Sequence, residues 1–325
     1  MELQEIYQPI AKDFKKLAVM LKTSLGGRDS KVILEINKFL LGSGGKKLRP
    51  AMVFLSAQAV RGRGISRQMD GKLVELAAAV ELIHQASLIH DDVIDHAALR
   101  HRQPTVNHRW GQDVAIAAGD YFYAEAFRLV AACGNAGVLD CMGTATKLMC
   151  EGELSQICER GNVDLLKRQY LVMVQKKTAA LFAASCHAGV LLAGANLTDQ
   201  KTFKDYGSNF GMAFQVRDDY LDLIGQEEVL GKISGADFHV GEWTLPVFNL
   251  LAQSEERAST LKLMRQPDRQ AALKEIRQKF MNSRALLKTK NEVNGYVRKA
   301  QESIRGLKGS PFKDSLLALA ENVSV

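Results

Sequence analysis

The chain has 325 residues, of which 46% are hydrophobic, enough to bury a sizeable core as one large domain or two ordinary ones. Six prolines and scattered glycines exclude a collagen, a linker or a low-complexity tail. The formal charge of +7 suits anionic substrates or an anionic membrane surface; no nucleic-acid-binding motif accompanies it, so nucleic acid is not an expected partner.

Five cysteines, an odd number without a CxxC pair, read as thiols in a reducing compartment rather than as a disulfide framework. The first residues show no basic stretch followed by an apolar one. No uninterrupted apolar run reaches the ~18 residues that span a bilayer. The expectation is a soluble, cytoplasmic protein. Apolar residues recur at helical spacing and alternating β-type segments are scarce, so the fold is expected to be all-α.

In chain order, residues about 5–22 and 30–41 read as amphipathic helices, with Asp29 or Ser30 as a cap for the second. Next comes Gly42-Ser43-Gly44-Gly45-Lys46-Lys47-Leu48-Arg49-Pro50. Its glycines break the helix and allow close backbone approach to a ligand, and Pro50 suits the first turn of a new helix. Lys46 and Arg49 would stand near that helix's N-terminus, a favourable place for an anion.

Residues about 50–60 and 72–95 are expected to be helical. The second stretch carries Asp91, Asp92 and Asp95 at i, i+1 and i+4 in an apolar run, with His84 seven residues earlier on nearly the same stripe. Three such carboxylates share one helix face and repel one another. A hard cation bound through oxygen resolves that, and Mg²⁺ bridging to substrate phosphates is the usual case. The basic segment Arg100-His101-Arg102-Gln103-Pro104-Thr105 follows, close enough to reach phosphates held by such ions.

Residues 113–132 read as an apolar helix whose Tyr121, Phe122, Tyr123 and Phe127 suit a core or an apolar tunnel wall. Helices are expected over about 138–160, with Glu151-Gly152-Glu153 and Gln156, and over about 169–192, with Lys176-Lys177-Thr178. Lys177 within an apolar stretch is a candidate phosphate contact. The triplet then recurs as Asp218, Asp219 and Asp222, with Gln215 seven residues before Asp222. Two identical triplets suggest two helices facing one another across a metal site. A loop with Gly231, Lys232 and Asp237 follows, then Glu242-Trp243-Thr244-Leu245-Pro246. Residues 265–325 read as amphipathic helices with a mixed-charge surface.

These pieces, in this order, resemble the trans-isoprenyl (polyprenyl) diphosphate synthase family. The similarity runs over Gly45-Lys46-x-Leu48-Arg49-Pro50, His84 with Asp91-Asp92-x-x-Asp95, Arg100 with Pro104-Thr105, and Glu151-Gly152-Glu153-x-x-Gln156. It continues through Lys177-Thr178, Phe214-Gln215 with Asp218-Asp219-x-x-Asp222, Gly231-Lys232, Asp237 and Thr244-Leu245-Pro246. The wording is most like the long-chain branch, including the catalytic subunit of heptaprenyl diphosphate synthases.

The resemblance implies the isoprenoid synthase fold, antiparallel helices around a central cavity, with residues 1–325 as one domain. It implies a Mg²⁺-dependent prenyltransferase that condenses isopentenyl diphosphate with an allylic diphosphate, farnesyl or geranylgeranyl. Asp91, Asp92, Asp95 and Asp218, supported by Asp222, would hold about three Mg²⁺ ions. Arg100, Lys177 and Lys232 would contact the allylic diphosphate. Lys46, Arg49 and His84 would bind the diphosphate of isopentenyl diphosphate, and Gln215 and Thr178 would line the reacting carbons. A homodimer is implied, with a heterodimer containing a regulatory subunit as the alternative, and a long apolar product adds contact with a membrane surface.

Two positions depart from the family pattern. His101 stands where a second arginine for isopentenyl diphosphate is usual, and Glu242 stands where lysine is common. Either change points to lower affinity or to dependence on a partner subunit. The resemblance also implies that the residues four and five before Asp91 form part of the wall below the allylic site; here they are Ser87 and Ala86, both small, so a product longer than farnesyl is expected, with a shorter, geranylgeranyl product as the alternative. The rivals are a class I terpene cyclase and a partner-dependent subunit without turnover of its own.

Overall fold

The computed structural model describes residues 2–25, 31–42, 44–60, 67–100, 103–225 and 235–325. The expected cap at Asp29 or Ser30, and His101, Arg102, Gly231 and Lys232, lie outside the described residues.

Among the described residues the fold is all-α except for one two-residue ladder. Helices α1 (Leu3–Tyr7), α2 (Ala11–Ser24), α3 (Lys31–Gly42), α4 (Leu48–Val60) and α5 (Arg67–Ile94) come first. Strands β1 (Leu99–Arg100) and β2 (Gln103–Pro104) pair antiparallel, Leu99 opposite Pro104. Then follow α6 (Val106–Trp110), α7 (Gln112–Ala132), α8 (Ala136–Cys158), α9 (Lys167–Val174), α10 (Ala180–Leu192) and α11 (Leu197–Ile224). The chain closes with α12 (Ala236–Val240), α13 (Leu245–Leu251), α14 (Ser254–Met264), α15 (Arg269–Met281), α16 (Arg284–Ser303) and α17 (Pro311–Glu321).

The helix expected over about 169–192 runs from Lys167 to Leu192, with a π-helical turn, Gln175–Ala179, which contains Lys176-Lys177-Thr178, between α9 and α10. Such turns widen the ring to i→i+5 and often mark functional positions. The segment expected as a basic loop after the first triplet carries the paired strands β1 and β2. Thr105 explains its Pro-Thr ending: the buried hydroxyl donates to Ala97 O at 2.6 Å and accepts the His108 N–H at 3.1 Å, capping α6.

The chain divides into two compact units: Met1–Thr146 with Leu181–Gly207 and Ser303–Leu319, and Lys147–Ala180 with Ser208–Glu302 and Ala320–Val325. In the first, α5 packs most extensively along α7 and also against α4 and α2. Gly119 on α7 makes this possible, because a Cβ there would lie 2.2 Å from His90 Nε2. The segment Met69–Ile94 has the length and hydropathy of a bilayer-crossing helix, but 67% of its most apolar window is buried, which makes it a core helix. Phe122 of α7 is buried as expected, whereas Tyr121 is 38% exposed.

The core of the second unit gathers Tyr170, Val216, Trp243, Phe248 and Phe280. On α16 the buried residues Ala285, Thr289, Val293 and Val297 recur every fourth position, and Arg284, Leu287, Lys288, Asn291 and Arg298 occupy the exposed face. All five cysteines are free thiols.

Candidate active site

The first triplet sits where α5 ends. Asp91 and Asp92 are on its last turn. Asp95 is in the turn beyond, its N–H still bonded to Asp91 O at 2.8 Å, and His96 closes the helix at φ +50°. The three carboxylates are not equivalent. Asp92 is 5% exposed and accepts Arg100 Nε at 2.8 Å, while Asp91 is half-buried and Asp95 exposed. β1 therefore delivers Arg100 to the triplet, and the mutual repulsion expected of three carboxylates is relieved at Asp92 by a cation of the chain itself.

The second triplet lies inside α11, whose helix continues past it to Ile224. Asp218 is exposed, but Asp219 and Asp222 are 3% and 2% exposed. Asp219 is held by neutral donors: Tyr170 OH at 2.5 Å and Gln215 Nε2 at 2.7 Å. Thr178 Oγ1 donates in turn to Gln215 Oε1 at 2.8 Å. Both expected residues, Gln215 and Thr178, thus belong to one chain of hydrogen bonds ending on Asp219. Burial pushes the Asp219 carboxyl up to about 7, against the lowering effect of its two donors. Asp222 receives backbone N–H groups from the start of α12, Gly235 to its carbonyl at 2.9 Å and Asp237 to Oδ2 at 3.4 Å.

The basic loop presents its groups separately. Lys46 is exposed, and its carbonyl accepts Tyr7 OH at 2.7 Å. Arg49 stacks on Phe182 with its guanidinium 4.2 Å from the ring centroid, and its buried Nε has no hydrogen-bond partner. Burial lowers Arg49 to about 10, so it stays charged near neutrality. His84 on α5 is held well below the ordinary histidine range, first by burial and then by Arg49, Lys47 and Arg100. A neutral imidazole in a positive field is a place for an anion.

In the second unit, Lys177 pairs with Glu153 and Lys176 with Glu151, the latter at 2.8 Å. Gly152 between the two glutamates brings α8 onto the π turn, since a Cβ there would lie 2.5 Å from Lys177 N. This is the physical content of Glu151-Gly152-Glu153. Glu242 is likewise paired: Arg160 Nε meets Oε1 at 2.7 Å and Gln156 Nε2 donates to Oε2. The negative charge at this departure from the family pattern is neutralised locally by Arg160.

Tyr170 and Arg160 carry no signal in the sequence that marks them for the site. Tyr170 lies 49 residues before Asp219, and no periodicity links the two. Among the described residues, no three His, Cys, Asp or Glu side chains converge into a preformed metal cage.

Residues 30–281 match the family model described as polyprenyl synthetase. The chain is 32% identical to a short chain isoprenyl diphosphate synthase of Methanothermobacter thermautotrophicus, over 93% of both chains. It is 42% identical to heptaprenyl diphosphate synthase component 2 of Geobacillus stearothermophilus, over 67% of this chain and 66% of that one. The crystal structure of a polyprenyl synthase from Caulobacter crescentus, complexed with calcium and isoprenyl diphosphate, superposes with a TM-score of 0.90 at 30% identity. That match covers 99% of this chain and 97% of the other.

Proposed function

The chain belongs to the polyprenyl synthetase family and is a prenyltransferase of isoprenoid biosynthesis, and from that premise we propose that it joins isopentenyl diphosphate to an allylic diphosphate, farnesyl or geranylgeranyl, giving a medium- to long-chain all-trans polyprenyl diphosphate. The observation that carries this reading is on α5. His84, kept neutral by burial and by positive charge that includes Arg49 and Arg100, stands two turns before the Asp91-Asp92-x-x-Asp95 carboxylates. An anion subsite and a cation subsite on one helix suit a reaction between two diphosphates. The match to relatives over nearly the whole length supports reading residues 1–325 as one functional domain.

The donor set fits Mg²⁺. Asp91, Asp92, Asp95 and Asp218, with Asp222 in support, offer only oxygen, the donor type of an ion that keeps waters and substrate phosphates. When bound, about three such ions would neutralise the charge growing on the leaving diphosphate. The chain's own residues do the rest. Arg100 is already at the first triplet, and Lys177, with Lys232, would meet the allylic diphosphate. Lys46, Arg49 and His84, together with His101, would bind isopentenyl diphosphate. Gln215, immobilised by Thr178 and Asp219, would border the reacting carbons without presenting a loose nucleophile. As the allylic C–O bond breaks, the homoallylic double bond attacks, and the proton released goes to the departing diphosphate.

Chain length rests on Ala86 and Ser87. Ala86 is fully buried, and the Ser87 hydroxyl turns back to His84 O at 2.9 Å, so both positions stay small. Purified protein with Mg²⁺, labelled isopentenyl diphosphate and farnesyl diphosphate should yield a ladder ending at one product longer than farnesyl. Ala86→Phe should shorten it, and an unchanged product would defeat the length assignment. Absence of incorporation by folded protein would defeat self-sufficient synthesis and favour the second reading, a subunit that works with a regulatory partner. The similarity to a component 2 protein supports that alternative to a homodimer, and the mass of the active species in solution decides between them.

Residues 257–308 carry 14 Lys and Arg against 4 Asp and Glu, a net +10 that exceeds the +7 of the whole chain. The exposed face of α16 places Leu287, 63% exposed, among Arg284, Lys288 and Arg298. This supports peripheral contact with an anionic bilayer, into which a long product would pass. Equal sedimentation with neutral and anionic vesicles at low salt would remove it. The five free thiols support a cytoplasmic setting.

A further inference from the structure

The loop before α4 contains two adjacent lysines with opposite fates. Lys46 is exposed, whereas the Lys47 side chain runs inward and places Nζ 2.8 Å from Glu81 Oε1, with the two side chains 18% and 4% exposed. Glu81 Oε1 also accepts Gln85 Nε2 at 2.9 Å. Lys47 is one of two non-glycine residues with positive φ among those described, at +49°, and its carbonyl accepts the Ala51 N–H at 3.0 Å to start the helix. A lysine in the left-handed region persists only when its surroundings impose it. Here the imposing contact is Glu81, because the ion pair requires the Lys47 stem to enter the protein.

Around this pair Leu21, Asn37, Leu82 and Phe122 leave a gap of about 10 Å³, room for about one water. The pair is therefore not a ligand site. Its position gives it another use. Glu81 lies one turn before His84 on α5, and Lys47 lies between Lys46 and Arg49. One contact thus ties the basic loop to the helix that carries the imidazole.

We propose that Glu81 is a positioning residue for the isopentenyl diphosphate subsite: by drawing Lys47 inward it turns the adjacent lysines apart and holds Lys46 and Arg49 toward the same anion as His84. The inference rests on the function proposed above. Glu81 touches no substrate, and Lys47, although a cation in a basic loop, is used up in the latch.

The test compares wild type with Glu81→Gln, Lys47→Met, the double variant and Lys47→Gly. Each of the first two should raise KM for isopentenyl diphosphate about tenfold, with kcat within about twofold and KM for farnesyl diphosphate unchanged. The double variant should be no worse than the poorer single one. Lys47→Gly, which adopts positive φ without an ion pair, should lose less than Lys47→Met. Calorimetric titration of isopentenyl diphosphate onto the same proteins reads the latch without turnover, so an inactive wild type, which would count against the proposed function, leaves the latch measurable. Unchanged KM and Kd in folded variants would overturn the proposal. So would a parallel loss of every constant together with a lowered melting temperature, the mark of a merely structural pair.

Discussion

The two aspartate triplets have the same spacing and opposite settings. Asp91, Asp92 and Asp95 stand at a helix end, and the buried middle carboxylate is matched by the Arg100 cation. Asp218, Asp219 and Asp222 stand within a helix, and the buried middle carboxylate is matched by two neutral donors, Tyr170 and Gln215. The last position differs as well: Asp95 is exposed, and Asp222 is buried under the start of α12. In both triplets the first residue is the more accessible of the adjacent pair and the second is the buried anchor. Spacing sets which carboxylates share a face; neighbours distant in sequence set what each one does.

The most severe way to break this comparison is to neutralise the accessible carboxylates. Asp91→Asn and Asp218→Asn should each lower kcat/KM by about 10³-fold, near 4 kcal/mol of transition-state stabilisation, with little change in thermal stability. A loss confined to one of them in steady-state assays would show that only one triplet serves the chemistry.

The anchors should respond in the opposite sense. Tyr170→Phe removes a donor from a buried carboxylate and should cost about 1–3 kcal/mol in denaturant unfolding. Asp92→Asn, whose partner Arg100 has a 36% exposed side chain, should cost less stability than that. Equal losses would erase the distinction between the anchors.

Glu242 sharpens the point with a smaller effect. Glu242→Lys, the change toward the common family residue, sets a second cation against Arg160. It should destabilise the fold by about 1–2 kcal/mol and lower activity, and adding Arg160→Glu should recover stability. A gain of activity from Glu242→Lys alone would overturn this pairing.

The mildest prediction concerns acid. His84 has its folded pKa below the ordinary 6.5, chiefly through burial, so below that pH the unfolded chain binds the extra proton. Stability should therefore be intact above about 6.5 and decline as pH falls beneath it, by at most about 1.4 kcal/mol per pH unit from this group. His84→Gln should flatten that limb in pH-dependent melting, whereas an unchanged limb would assign it elsewhere.

Much of the molecule was legible from the chain. Helical periodicity, the glycine break at 42–45 and the two triplets sufficed for an all-α protein with oxygen-rich metal motifs beside basic loops. These signals are local: they depend on residues within one or two turns of each other, and helix geometry converts such spacing directly into a shared face.

What only the tertiary structure decided are the pairings made across long separations. Asp219 leans on Tyr170, Glu242 on Arg160, Lys177 on Glu153, and Lys47 rather than Lys46 turns inward to Glu81. The π turn at Gln175–Ala179 belongs to this class, since the glutamates flanking Gly152 on α8 hold its lysines. Burial and pairing depend on which helices meet, and nothing in the spacing of a single helix encodes its neighbours.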